Sequence, residues 1–111
     1  MPIYKLHDVV VVPFPFTDRD ATKRRPTLVV SDPKSLNIDK SILAMITSSS
    51  HQPWPLDVTI QNLAEAGLKS PSIIRMKLFT LDNSLILKKI GKLSQQDIEE
   101  ISFNLSQVLG L

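Results

Sequence analysis

Three consecutive basic residues, Lys23, Arg24 and Arg25, form the densest cluster of charge in the chain and directly precede an apolar run that begins after Pro26. A guanidinium presents a planar fork of donors that matches phosphate oxygens and stays charged at any working pH. Pro26 biases Arg25 toward extended backbone, which helps to fix its direction. The cluster therefore indicates either a phosphate clamp or a solvated loop at the start of a strand.

A second candidate site lies where the apolar run Ser41–Ile46 gives way to Thr47, Ser48, Ser49 and Ser50. A threonine at a strand end can offer its hydroxyl to a phosphate oxygen or a ribose hydroxyl, and loops above a rigid sheet often carry binding sites. The alternative is that threonine simply favours strands and serine favours loops. His51 follows, and histidine is the side chain that changes charge near neutral pH. It is either a proton-transfer residue or an exposed loop residue.

Three further side chains could contact an unpaired nucleic-acid strand. Aromatic residues in loops can stack on bases, with about 1–3 kcal/mol for each base. Trp54 and Phe16 are the candidates, and the alternatives are a tryptophan folded onto the sheet and a phenylalanine in the core. Arg75 is either a phosphate ligand or a surface residue of a strand.

The elements that must position these side chains are mostly short and extended. Loops are predicted over Thr17–Arg25 and Ser48–Pro55, and one helical turn over Asn62–Ala66, ended by Gly67. The β-like runs, of which the first is weakened by Pro13 and Pro15, are Val9–Phe16, Thr27–Ser31, Ser41–Thr47, Asp57–Ile60, Ile73–Thr80 and Ser84–Ile90.

The C-terminal segment has the pattern of an amphipathic helix. Ser94 is a suitable N-cap, and Gly110 is placed to end the helix. The apolar stripe between them consists of Ile98, Ile101, Leu105, Val108 and Leu109. Several short strands followed by one helix predict an α+β, mainly β fold, in which a small β-barrel packs against the helix. We expect residues 1–111 to form a single domain.

The composition excludes several classes of site and partner. The chain has no cysteine, which excludes disulfides and thiolate metal sites, and its net charge of +2 is only a weak indication of a polyanionic partner. No apolar run is long enough to span a bilayer, and the N-terminus lacks the apolar core of a signal peptide, so we expect a cytoplasmic protein without a membrane partner. No His/Asp/Glu cluster has metal-ligand spacing, so we expect neither metal nor cofactor.

The order and spacing of these segments resemble the MazF/PemK toxin family along nearly the whole chain. Arg25-Pro26 leads into an apolar strand, and Ile46-Thr47-Ser48 follows about twenty residues later. The segments Asp8–Asp18, Gly67-Leu68 with Pro71-Ser72, Thr80–Asp82 and Ile90–Ser94 also fit the family. Two positions depart from it: His7 stands where the family often has glycine, and Met76 stands where some PemK relatives have an acidic residue with a proposed acid/base role.

The resemblance implies a CcdB/MazF-like (SH3-like) barrel, a homodimer and a cognate antitoxin whose tail blocks the RNA site. It also implies sequence-selective, metal-independent cleavage of single-stranded RNA, with Arg25 and Thr47 as the catalytic residues. RNA supplies its own nucleophile, the 2′-OH, so the protein needs only to align it and offset charge on the phosphorus. The residues expected to contact RNA are Phe16, Thr17, Lys23, Arg24, Ser48, Ser49, His51, Trp54 and Arg75.

Two other functions remain open from the sequence. A CcdB-like toxin that poisons DNA gyrase would not need the Arg25/Thr47 pair, so the presence of both residues argues against it. A non-catalytic nucleic-acid-binding barrel would use the basic residues equally well.

Overall fold

Six antiparallel strands form one curled sheet, and a single helix follows it; this computed structural model describes residues 3–14 and 23–111. The strand order across the sheet is β4-β5-β3-β2-β1-β6. The elements are β1 (Asp8–Phe14), β2 (Lys23–Val29), β3 (Lys40–Ser48), β4 (Val58–Thr59), β5 (Ser72–Asp82), a 3-10 helix (Asn83–Leu85), β6 (Lys88–Lys92) and α1 (Gln95–Leu109). The predicted mainly β fold with a C-terminal helix is confirmed.

The sheet buries apolar side chains on both faces, because successive residues of a strand point to opposite sides. On the helix side, Val9, Leu28, Ile46 and Ile74 pack with Ile101 of α1 in one core. A second, smaller core on the other face contains Val10, Val12, Val29 and Leu43, together with Tyr4, Leu81 and Ile86. Burial of each such side chain contributes about 1.5–3 kcal/mol. Burial on both faces explains why the strand sequences are nearly continuous apolar runs.

Strand register places the two candidate catalytic residues on one face. Thr27 pairs with Met45, and residues two apart on a strand share a face, so Arg25 and Thr47 lie on the same side as that pair. The β2–β3 pairing ends at Thr27, next to Pro26, which has no N–H to donate.

A bulge in β5 brings Arg75 to the same region. Ala44 pairs with Leu78 but Met45 pairs with Arg75, so β5 has two extra residues, Met76 and Lys77, at this point. Bulges bend a strand and redirect its side chains.

Several predicted boundaries are wrong. Lys23–Arg25 was expected in a loop but belongs to β2, because Phe14 of β1 pairs with Lys23 and extends the ladder. The predicted strand Ser84–Ile90 begins instead as the 3-10 helix, since the Asp82 carboxylate accepts a hydrogen bond from the Ser84 N–H and caps it. The predicted strand Asp57–Ile60 is reduced to Val58–Thr59.

The helix ends are confirmed, but its apolar stripe is shorter than expected. The Ser94 hydroxyl accepts a hydrogen bond from the Asp97 N–H at 3.2 Å, and Gly110 adopts a left-handed φ of 71°. Ile98, Ile101 and Leu105 pack on the core, whereas Val108 and Leu109 are exposed. Across residues 3–14 and 23–111, the helices are too short or too polar to traverse a lipid bilayer.

The segment before β1 turns at His7, which has a φ of 76°. Its N–H donates to the Val29 carbonyl at 2.8 Å, and its carbonyl accepts from the Leu93 N–H at 3.0 Å. A left-handed φ favours glycine, and histidine is one of the side chains that tolerate it. Burial lowers the pKa of His7, and the neighbouring Asp8 carboxylate opposes that shift in part.

Candidate active site

Arg25 is half-buried and held in place by an aromatic ring. Its guanidinium carbon lies 4.8 Å from the centroid of the Phe14 ring on β1. Its Nε is buried and lacks a hydrogen-bond partner among the described residues. A buried donor without a partner costs about 1–3 kcal/mol, which an anionic ligand could offset. Arg25 is therefore placed to donate a hydrogen bond to a phosphate oxygen.

Thr47 forms a short hydrogen bond with His51, with 2.6 Å between Oγ1 and Nδ1. A turn folds the histidine back over the strand end, because the His51 N–H donates to the Ser48 carbonyl at 3.2 Å. The Ser49 N–H donates to the Pro71 carbonyl at 3.2 Å and joins this turn to the segment before β5. A hydroxyl, an imidazole and a guanidinium are thus collected at one end of the sheet.

Two depressions meet at the Arg25/Thr47 pair, because both residues line each of them. The first, of about 450 Å³, also contains Lys23, Arg24 and Lys69. The second, of about 330 Å³, contains His51, Arg75 and Lys77 beside Phe14 and Met45. No carboxylate is among the described residues that line them, so both depressions favour an anion.

Arg75 is buried, and the expectation that it is either a phosphate ligand or a surface strand residue missed its main contacts. Its guanidinium forms an ion pair with Asp57 at 3.1 Å and donates to the Gln52 carbonyl at 2.7 Å. It also lies 5.2 Å from the Trp54 ring centroid, and Lys77 Nζ lies 4.9 Å from the same centroid. This cluster ties the loop after β3 to β5.

Trp54 combines the two alternatives considered for it. Its ring contacts the cations of β5, and its backbone N–H donates to the Asp57 carboxylate at 2.8 Å, so it is folded onto the sheet. It nevertheless keeps 42% of its surface exposed, which leaves ring surface for stacking.

The other predicted site residues fall into three groups. Lys23, Arg24 and Ser48 line the first depression, whereas Ser49 lines neither. Phe16 and Thr17 lie outside the described residues. No set of three or more His, Asp or Glu side chains in the described part of the chain is grouped to hold a metal ion.

Lys69, Lys77 and Asp57 were missed by sequence reasoning. Lys69 lies at the first depression because β5, which begins three residues later, pairs with β3 as far as Ser48↔Ser72. No local sequence pattern predicts this pairing. Lys77 is placed by the bulge, which the sequence also does not reveal. Asp57 is predicted only as part of a strand, and its ion pair with Arg75, 18 positions away, has no local signal in the sequence.

Comparison with solved structures shows the same fold in MazF proteins. The chain is 19% identical to MazF from Deinococcus radiodurans, with 100% of each chain covered and a TM-score of 0.74. It is 17% identical to the Mycobacterium tuberculosis toxin MazF-mt6, with 94% of this chain and 97% of that chain covered and a TM-score of 0.73. A mycobacterial endoribonuclease solved with its cognate antitoxin is 14% identical, with 98% and 97% coverage and a TM-score of 0.76.

The sequence itself matches a family model. No curated protein sequence matches significantly. Residues 5–109, however, match the model described as the PemK-like, MazF-like toxin of type II toxin–antitoxin systems, which confirms the resemblance inferred from the segment order. The chain therefore belongs to the PemK-like, MazF-like family of type II toxin–antitoxin toxins.

Proposed function

We propose that this toxin is a sequence-selective endoribonuclease that cleaves single-stranded RNA without a metal ion. The observation that carries the proposal is the position of Arg25 and Thr47 between two basic depressions that lack carboxylates among their described lining residues. An RNA strand that crosses from one depression to the other would place a phosphate at this pair.

The proposed reaction is an internal transesterification. The 2′-oxygen attacks the adjacent phosphorus, the bond from phosphorus to the 5′-oxygen breaks, and the products are a 2′,3′-cyclic phosphate and a 5′-hydroxyl. Arg25 offsets the charge that builds on the phosphate oxygens, a kind of contribution worth about 10²–10³-fold in rate for one fixed donor. Thr47 orients the phosphate so that attack is in line.

Binding of the flanking nucleotides is assigned to both depressions. Lys23 and Arg24, with Lys69, neutralise phosphates on one side, and Ser48 adds a hydroxyl there. On the other side, Trp54 offers an exposed ring for stacking, and His51 lines the wall. Phe16, Thr17 and Ser49 remain proposed RNA contacts, and Arg75 contributes positive charge from its ion-paired position.

We also propose a homodimer that is inhibited by an acidic antitoxin segment. Large exposed apolar side chains support an interface near the N-terminus: Ile3, Leu6 and Ile38 are 72%, 41% and 56% exposed. The Deinococcus radiodurans MazF has been solved as a MazE–MazF complex, and the basic depressions here suit an acidic partner. Light scattering that shows a monomer at tens of micromolar would contradict the dimer.

The deciding experiment is incubation of the pure protein with a long single-stranded RNA in excess EDTA. Discrete fragments that end in a 2′,3′-cyclic phosphate are expected, and a substrate with 2′-deoxyribose at the cut position should resist cleavage. Intact but retarded RNA would instead indicate a binding barrel without catalysis. Arrest of DNA gyrase with intact RNA would indicate a CcdB-like toxin.

A further inference from the structure

The proposed reaction needs a group that accepts the 2′-OH proton, and neither Arg25 nor Thr47 can do this. A guanidinium has no acceptor and is not deprotonated in proteins, and a threonine hydroxyl is not a base. Among the described residues that line the 330 Å³ depression, His51 carries the only nitrogen that can accept a proton.

The turn after β3 fixes which nitrogen of His51 faces the substrate. Nδ1 lies 2.6 Å from Thr47 Oγ1, so this nitrogen is occupied by the threonine and Nε2 is the one left for RNA. The turn itself is held by the bond from His51 N–H to the Ser48 carbonyl and by the bond from Ser49 N–H to the Pro71 carbonyl, both 3.2 Å. The imidazole is thus held at the strand end although it is exposed.

One tautomer of this pair suits both partners. When Nδ1 carries the hydrogen, it donates to Thr47 Oγ1, and the threonine proton is then free to point at a phosphate oxygen. In the same tautomer Nε2 has an open lone pair, which can take a proton. In this tautomer the one hydrogen bond orients the hydroxyl and leaves Nε2 as the basic nitrogen.

We propose that His51 Nε2 accepts the 2′-OH proton in the tautomer whose Nδ1–H donates to Thr47 Oγ1; this assignment rests on the endoribonuclease function proposed above. The proton moves from the 2′-oxygen to Nε2 as that oxygen bonds to phosphorus. The bond to the 5′-oxygen breaks with its electron pair, and the leaving 5′-oxygen takes a proton from water. The imidazolium then returns its proton to solvent, so that atoms and charges balance.

The pH dependence of cleavage should follow the protonation of the base. Among the described residues, the charged groups that line the depression with His51 are Arg25 from β2 and Arg75 and Lys77 from β5. A guanidinium or an ammonium has no acceptor, so none of these cations is expected to act as the base. A general base acts only when it is unprotonated, so cleavage should fall about tenfold per pH unit where the base becomes protonated.

The test compares His51→Asn with His51→Ala in single-turnover cleavage at saturating protein, in EDTA, between pH 5.5 and 8.5. Asparagine keeps an N–H donor at the position of Nδ1 but supplies no base. Both variants should lose about 10²-fold or more in rate and should lose the acid limb of the profile, with little change in RNA affinity. The matched control is His7→Asn, which removes the chain's other histidine, outside both depressions, and should keep rate and profile.

A second substrate distinguishes a role of His51 as the general base from a role as the general acid. Replacement of the leaving 5′-oxygen by sulfur removes the need to protonate the leaving group, so His51→Asn should remain slow on it if His51 acts on the 2′-OH. Recovery of the wild-type rate would assign His51 as the acid and overturn the proposal. A wild-type rate of His51→Asn on ordinary RNA would reduce His51 to a positioning residue for Thr47. Failure of the wild-type protein to cut any RNA would overturn the endoribonuclease function itself.

Discussion

The Arg25 guanidinium carbon sits 4.8 Å from the centre of the Phe14 ring, on the neighbouring strand. A cation over an aromatic face gains about 0.5–2 kcal/mol, depending on its exposure to water. This contact fixes the direction of a side chain whose Nε has no partner among the described residues. Arg24, by contrast, is exposed and lines only the first depression.

The two arginines should therefore behave differently when replaced. We expect Arg25→Ala to lower the single-turnover cleavage rate by at least about 10²-fold, as for loss of one preorganised donor. Arg25→Lys should recover little, because an ammonium does not reproduce the planar fork. Arg24→Ala should mainly weaken RNA binding. If both alanine variants lose RNA affinity equally and neither loses cleavage rate, Arg25 belongs to a charged patch and is not a catalytic residue.

Lys69 should contribute to RNA affinity rather than to rate. We expect Lys69→Ala to weaken binding and to lower the slope of log affinity against log salt by about 0.7, the value for one contact to a single-stranded phosphate. Lys92→Ala is the matched control, because this exposed lysine of β6 lines neither basic depression. An unchanged salt slope for Lys69→Ala would exclude Lys69 from the RNA path.

Breaking the Arg75–Asp57 ion pair should destabilise the fold, since both side chains are nearly buried, at 11% and 13% exposure. Removal of one partner leaves a buried charge uncompensated, so Asp57→Ala should lower the free energy of unfolding by about 3 kcal/mol. Lys40→Ala, which breaks an exposed pair with Asp82 at 49% and 42% exposure, should cost less than about 1 kcal/mol. Urea unfolding measures both values. Equal losses in the free energy of unfolding would contradict the argument that the buried pair is costlier to break than the exposed one.

His7 should make the protein less stable in mild acid. Burial lowers the pKa of His7 in the folded state, so below the ordinary pKa of histidine the unfolded chain binds a proton that the folded chain does not. The free energy of unfolding should therefore fall as the pH drops from about 6.5 toward the lowered pKa of His7. Above about pH 6.5, His7 should have no effect on the free energy of unfolding. His7→Asn keeps a residue that tolerates positive φ and should reduce the loss between pH 7.5 and 5.5. If His51→Asn reduces it instead, His7 is not the source.

The sequence predicts the elements of the site better than their contacts. Thr47 at a strand end, Arg25 before Pro26 and the capped helix follow from local residue types, and the two residues are assigned as a catalytic pair by the family resemblance. Their placement on one face depends on the pairing of Thr27 with Met45, which is a non-local property of the sheet. Lys69 and Lys77 enter the region through β5 pairing and its bulge, so no local pattern reports them. The hydrogen bond between Thr47 and His51 likewise depends on the turn from Ser48 to His51. A run of serines is compatible with such a turn but does not predict it.

Main-chain atoms hold the loop that follows Thr47. The anchors are the Ser49 N–H on the Pro71 carbonyl, the Gln52 carbonyl on Arg75 and the Trp54 N–H on Asp57. Every residue type supplies a carbonyl, and every type except proline supplies an N–H, so mutation can alter the loop's side chains while these anchors persist. We therefore expect that substitutions in residues 52–56 can change which bases the proposed RNA site prefers, while Arg25 and Thr47 keep their positions.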